Sequence, residues 1–186
     1  MGSARPLIAV FGSSDPAEGD PLYETARRVG SLLVGAGYDV ITGGYGGVME
    51  GASRGAAEAG GRAVGVTCSI FAGRAPNRYL TERRDTADLL ERTGLLVEAA
   101  RGYVVLHGKS GTLAELTLLW ALHRAGSLGP RPVVLLGGAW RPFLHHLVKG
   151  AMIEVEQLAI TRVAEGPDDA VGWVDRFLAA EGIGGK

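Results

Sequence analysis

Short unbroken apolar runs that stop at glycine or serine, each followed by a stretch of helix length, leave this chain few folds to choose from. Leu7 to Phe11 reads LIAVF and ends in Gly12-Ser13-Ser14-Asp15-Pro16. Tyr38 to Thr42 runs straight into Gly43-Gly44-Tyr45-Gly46-Gly47, and Tyr103 to Leu106 stops at His107-Gly108-Lys109-Ser110-Gly111. A run that is apolar at successive positions, rather than at every second one, is a strand covered on both faces, the habit of parallel sheets. Arg62 to Thr67, Pro132 to Leu136 and Leu158 to Val163 supply three more expected strands. Helices are expected from Pro21 to Val34, Val48 to Ala59, Thr86 to Ala99, Ser110 to Ala125, Pro142 to Ile153 and Asp168 to Ala180. In the first of them Leu22, Ala26, Val29, Leu32 and Leu33 recur on one face, with Gly35 and Gly37 closing it. Ser69 to Arg84 has no clear period and holds Pro76, Asn77, Arg78 and Tyr79. It is expected to be a functional loop.

Strands alternating with helices build an α/β fold: a three-layer Rossmann-like parallel sheet with helices on both faces. Right-handed crossovers give the six expected strands, numbered in chain order, the arrangement 3-2-1-4-5-6. Strands one and four then lie side by side where the winding reverses. The turns at Gly12 to Ser14, Gly43 to Gly47 and His107 to Thr112 meet along one carboxyl edge, where such sheets bind ligands.

Composition narrows the rest. At 186 residues and 46% hydrophobic content, a single domain covering residues 1–186 is expected. A net charge of −1 gives no basic field for nucleic acid and no polybasic anchor for a membrane. The lone Cys68 rules out an internal disulfide framework, Met1 to Pro6 does not resemble a signal peptide, and no apolar run nears the ~20 residues that span a bilayer. A cytoplasmic protein without metal or cofactor is expected.

The turn before the helix at Ser110 carries the chemistry. The first N–H groups of a helix have no partner inside it, and the helix dipole adds positive potential there, worth roughly 0.3–2 kcal/mol towards an anion. Gly108 and Gly111 let backbone approach a ligand closely. Sharper motifs fail on spacing: a Walker A loop would need glycine where Tyr103 stands, and a nucleophile elbow would need it at Thr112. The dinucleotide fingerprint G-x-G-x-x-G is also absent from this turn.

Taken together, these residues resemble the Lonely Guy (LOG) family of nucleotide phosphoribohydrolases, often mislabelled lysine decarboxylases, over roughly Leu7 to Val134. The family's serine pair is matched by Ser13-Ser14. Its G-G-x-x-G-[LV]-M is matched by Gly43, Gly44, Tyr45, Gly46, Gly47, Val48 and Met49. Its P-G-G-x-G-T-x-x-E aligns with His107-Gly108-Lys109-Ser110-Gly111-Thr112-Leu113-Ala114-Glu115, and its upstream E-R-K with Glu91-Arg92-Thr93. The resemblance implies hydrolysis of the N-glycosidic bond of a nucleoside 5′-monophosphate, AMP-like and open to an N6 substituent, to free base and ribose 5-phosphate. It implies catalysis by Arg92 and Glu115. Ser13, Ser14, Gly43, Gly44, Gly46, Gly47, Met49, Gly108, Lys109, Ser110, Gly111 and Thr112 would hold the substrate. Arg92 would orient Glu115 and keep it ionised.

The sequence departs from the family signature at His107, Lys109 and Thr93. Lys109 has two readings, an added phosphate contact or a plug in the pocket. The same crevice could instead serve a non-catalytic nucleotide or pterin-cofactor carrier. Thr112 to Glu115 also reads as a capping box, with Glu115 folded back on the helix start. His107 is expected to be structural or pocket-lining, His145 and His146 to sit on the surface, and Cys68 to be a small buried residue. Leu113, Leu116, Leu118, Leu119, Trp120 and Leu122 surround one helix on most sides. A homodimer through that helix and the one bearing Arg92 is therefore expected.

Overall fold

The computed structural model describes residues 5–182, so the expectations that touch Met1 to Ala4 and 183–186 lie outside the described residues. Seven parallel strands form one sheet: β1 (Leu7–Phe11), β2 (Asp39–Thr42), β3 (Ala63–Cys68), β4 (Glu82–Thr86), β5 (Ala100–Val105), β6 (Val133–Leu136) and β7 (Thr161–Ala164). Their order is β4-β3-β2-β1-β5-β6-β7. This is the expected order with one strand added at the edge beyond β3.

The added strand corrects the reading of 69–84 as loop throughout. Glu82-Arg-Arg-Asp-Thr86 pairs in parallel with β3, from Val64 opposite Glu82 to Cys68 opposite Thr86. It carries no apolar residue because it is an edge strand with little core to cover, and charge there discourages pairing with another chain. Hydrophobic pattern is blind to such a strand. Its presence moves the start of the next helix from Thr86 to Leu89, where Asp88 caps it by accepting from the N–H groups of Leu90 (2.8 Å) and Glu91 (2.9 Å).

Six helices cover the sheet: α1 (Pro21–Gly35), α2 (Val48–Glu58), α3 (Leu89–Ala99), α4 (Ser110–Arg124), α5 (Trp140–Lys149) and α6 (Pro167–Ala180). Alternation along β1 divides the interior in two. Ile8 and Val10 join the residues of α1, α2 and α6, whereas Leu7, Ala9 and Phe11 join Leu96, Leu116, Leu119 and Trp120 of α3 and α4. Because β1 sits between β2 and β5, the crossovers diverge at that point, and the turns after β1, β2 and β5 open on the same edge.

α4 spends much of its apolar surface in the chain's own core. Leu116, Leu119 and Trp120 are buried, and Leu113, Leu118 and Leu122 pack half-buried against the same core. Exposed apolar side chains lie instead at the start of α3, where Leu89 is 43% and Leu90 86% exposed, and at Ile70, Met152 and Val155.

Candidate active site

The turn after β1 is stitched to its two neighbours. The Leu106 N–H donates to the Phe11 carbonyl (2.8 Å), Ser13 N–H to the His107 carbonyl (3.1 Å) and Val48 N–H to the Ser13 carbonyl (2.9 Å). Gly47 permits the last contact. Its φ is +71°, and a Cβ there would lie 2.3 Å from the Ser13 oxygen. The starts of α2 and α4 are thereby drawn to either side of Ser13 and Ser14.

Between them lies a cleft of about 140 Å³, lined by Ser13, Ser14, Gly43, Met49, Lys109, Gly111, Thr112, Arg92 and Glu115 among the expected residues. Gly44, Gly46, Gly47, Gly108 and Ser110 stand beside or behind it. Gly44 packs on Gly65 and accepts from the Asn77 N–H at its carbonyl (2.9 Å), and Gly108 sits tight against Thr112 and the Ser13 nitrogen. The structure also adds Gly12, Tyr45, Phe71 and Arg74 to the wall. Tyr45 is fixed by its hydroxyl, which donates to the Cys68 carbonyl (3.1 Å) and accepts from the Cys68 N–H (2.9 Å). The Phe71 ring meets Tyr45 edge-on at 5.5 Å, and the Arg74 guanidinium lies 5.4 Å from the Phe71 centroid. Phe71 and Arg74 come from the aperiodic segment after β3. An aromatic inside Gly43 to Gly47 was the signal for Tyr45; nothing local marked the other two.

At the mouth of α4 the helix start is open. Lys109 holds the N-cap position without a side-chain cap, and the first bond back is Leu113 N–H to the Lys109 carbonyl (3.0 Å). The N–H groups of Ser110, Gly111 and Thr112 have no acceptor among the described residues. The capping-box reading therefore fails, since Glu115 does not fold back onto the helix start. Nor does Lys109 plug the cleft. Its side chain is 77% exposed and pairs with Asp15. His107 is exposed and contributes through its backbone carbonyl, and His145 and His146 lie on the surface as expected.

Glu115 sits one turn deeper, with a side chain only 13% exposed. Arg92 approaches from α3, buried, with its Nε donating to the Val66 carbonyl (2.9 Å) and Nη2 to the Gly43 carbonyl (3.1 Å). The Arg92 guanidinium also lies 5.9 Å from the Tyr45 ring centroid. Gly43 must lack a side chain, because a Cβ would fall 1.6 Å from Arg92 Nη2. Arg92 Nη1 reaches Glu115 only at 4.0 Å, and the Glu115 carboxylate accepts no hydrogen bond among the described residues. Burial consequently outweighs the arginine and pushes the Glu115 carboxyl up to about 7. The expected role of Arg92 in keeping Glu115 ionised is thus only partly met, because Nε and Nη2 bind carbonyls and Nη1 stays 4.0 Å from the carboxylate. Thr93, at the family's lysine position, donates its hydroxyl to the Leu89 carbonyl (2.7 Å). No group of three or more potential metal ligands occurs among the described residues.

The model of the SLOG cluster4 family matches residues 5–155, which takes in every element that lines the cleft. The chain belongs to that family. A cytokinin riboside 5′-monophosphate phosphoribohydrolase of Mycobacterium tuberculosis is 30% identical over 133 residues, covering 69% of each chain. The pyrimidine/purine nucleotide 5′-monophosphate nucleosidase of Escherichia coli is 32% identical over 64% of this chain, which spans only 28% of that protein's length. The resemblance to the Lonely Guy family drawn from the motifs therefore holds. Among solved structures, the molybdenum cofactor carrier protein of Chlamydomonas reinhardtii superposes with a TM-score of 0.72 at 27% identity, covering 94% of this chain and 99% of that one. Similarity of sequence and fold thus joins this chain to proteins named for cleaving nucleotides and to one named for carrying a cofactor. No helix among its described residues is long and apolar enough to cross a membrane.

Proposed function

We propose that the cleft hydrolyses the N-glycosidic bond of a nucleoside 5′-monophosphate, AMP-like and open to an N6 substituent, to free base and ribose 5-phosphate. The observation that carries this reading is Glu115. It is a buried carboxyl without a hydrogen bond, one helical turn, or about 5 Å, inside an open helix mouth suited to a phosphate. In this reading the 5′-phosphate takes the N–H groups of Ser110, Gly111 and Thr112, with Lys109 at hand, and the ribose lies against Glu115. The bond from C1′ to the base nitrogen breaks with its electrons leaving on the base, which takes up a proton. The carboxylate of Glu115 stabilises the cationic sugar and accepts a proton from the water that adds to C1′. The Arg92 guanidinium, with Nη1 4.0 Å from Glu115, keeps an opposite charge beside it. At about 140 Å³ the cleft is smaller than the ~300–1,000 Å³ of pockets that enclose a whole ligand, which suits a sugar phosphate within and a base leaning out.

Phosphate anchoring is tested by comparing a monophosphate with its nucleoside. Adenosine is expected to be cleaved at least 10³-fold less efficiently than AMP in kcat/KM, and equal rates would contradict the reading. Because the ionised form of Glu115 does the work, kcat/KM is also expected to rise about tenfold per pH unit up to about 7 and then level off. Between the phosphate's own step near ~6 and pH 7 that limb belongs to Glu115. A profile flat from pH 5.5 to 8 would remove Glu115 from the reaction.

A second reading, carriage of a pterin-based cofactor in the same crevice, is favoured by the near-complete superposition on the Chlamydomonas carrier and by cationic side chains at the mouth. It predicts tight retention of an unaltered ligand. The exposed Leu89 and Leu90 support a homodimer through α3 and α4. Light scattering at micromolar concentration should then return twice the 19.3 kDa of the chain. A monomer mass would overturn the dimer.

A further inference from the structure

The mouth of the cleft holds three charges from three different turns. Asp15 follows the serine pair after β1, Lys109 precedes α4, and Arg74 comes from the segment after β3. Lys109 Nζ is paired with the Asp15 carboxylate, and Arg74 acts on that carboxylate electrostatically. Arg74 has no hydrogen bond or ion pair of its side chain among the described residues, only its contact with the Phe71 ring. Both cations line the cleft. The Asp15 and Lys109 side chains are 57% and 77% exposed, and ion pairs that open to water add little to stability. What the arrangement does affect is an incoming anion, because a carboxylate already stands among the cations a phosphate would recruit.

Asp15 itself is positioned by its own turn, its N–H donating to Ser13 Oγ (3.2 Å). The Lys109 contact, first, holds its carboxyl below the usual range, so it is charged whenever a phosphate arrives near neutral pH. A phosphate seated on the N–H groups of Ser110 to Thr112 can take Lys109 from Asp15. A second phosphoryl group continuing from the first towards solvent would meet the Asp15 carboxylate. Like charges about 5 Å apart repel with an energy worth roughly a factor of ten or more in affinity at the effective dielectric of a protein surface.

We propose that Asp15 is a charge gate that restricts the cleft to ligands ending in a single phosphate. This rests on the reading above and adds the residue that excludes longer phosphates from that same site, whether the site cleaves or carries. Specificity here comes from a repulsive group set against the unwanted ligand.

The test is binding, so that it does not depend on turnover. Calorimetric affinities for phosphate and pyrophosphate, and for AMP and ADP, are measured on the wild-type protein and on Asp15→Asn. The wild type is expected to prefer the single phosphate by at least tenfold in both pairs. Asp15→Asn is expected to reduce that preference at least fivefold, and to do so equally when Lys109→Met is added. A wild type that binds the longer anion as well as the shorter, a preference unchanged by Asp15→Asn, or no binding of any of the four would each overturn the gate. If the gate holds while no free base is ever released from AMP, the hydrolytic reading falls and the gate stands.

Discussion

Glu115→Gln is expected to lower base release from nucleoside 5′-monophosphates by at least 10²-fold, and at the same time to make the protein more stable at alkaline pH. The two effects have one origin. An amide cannot accept the water's proton or balance the positive sugar, so the chemical step loses its base. The same substitution removes a charge that the fold tolerates poorly. The Glu115 carboxyl stands at about 7 in the folded chain against 4.5 when unfolded. A raised pKa means that folding is favoured most where both states are protonated, below about 4.5, and loses ground as pH climbs through 7. The difference corresponds to about 3 kcal/mol by pH 8, at roughly 1.4 kcal/mol per pH unit. Urea unfolding at pH 8 should therefore show Glu115→Gln more stable than wild type by about 2–3 kcal/mol, and the two nearly equal at pH 4. Loss of activity without that pH-dependent gain would mean Glu115 is not a buried carboxyl without a hydrogen bond. The pairing of lost activity with gained stability is what a functional carboxyl, rather than a structural one, should show.

Gly43→Ala carries the other large effect. A Cβ at Gly43 would fall 1.6 Å from Arg92 Nη2 and 2.7 Å from Met49 Sδ. The guanidinium would have to leave the carbonyls of Val66 and Gly43, stranding a buried charge and releasing its hold beside Glu115. Base release is expected to drop at least 10²-fold, with stability reduced by about 2–4 kcal/mol. Gly46→Ala is the stability control. A Cβ there would find its nearest neighbour at 3.8 Å, so its unfolding midpoint should stay within about 0.5 kcal/mol of wild type. Equal stability of the two alanine variants would show that Gly43 is not there to let Arg92 pass.

The sheet was readable because buried parallel strands write themselves as continuous apolar runs: Leu7–Phe11 and Val133–Leu136 emerge where their composition puts them. Glu82–Thr86 broke the rule because an edge strand has only one hydrogen-bonded neighbour and, here, charged side chains alternating between half-buried and exposed positions. The helix mouth of α4 was equally plain, since glycine turn and helix start adjoin in the chain. Gly43 was harder. Its reason for being glycine lies on Arg92, forty-nine residues later, and only folding brings the two together. Phe71 and Arg74 were out of reach for the same cause, lying in a segment whose position is set by β3 and β4 rather than by any period of its own. The capping-box alternative for Glu115 could be resolved only by seeing where the carboxylate goes.

The proposed cleft breaks its ligand rather than keeping it. Incubating the protein with a panel of purine and pyrimidine 5′-monophosphates, and following free base and ribose 5-phosphate by chromatography, measures this directly. Equimolar base and ribose 5-phosphate, many turnovers per chain, are expected from at least one nucleotide, with at least 10²-fold less from Glu115→Gln. Intact nucleotide retained at one per chain, with no base released from any member of the panel, would contradict the proposed function.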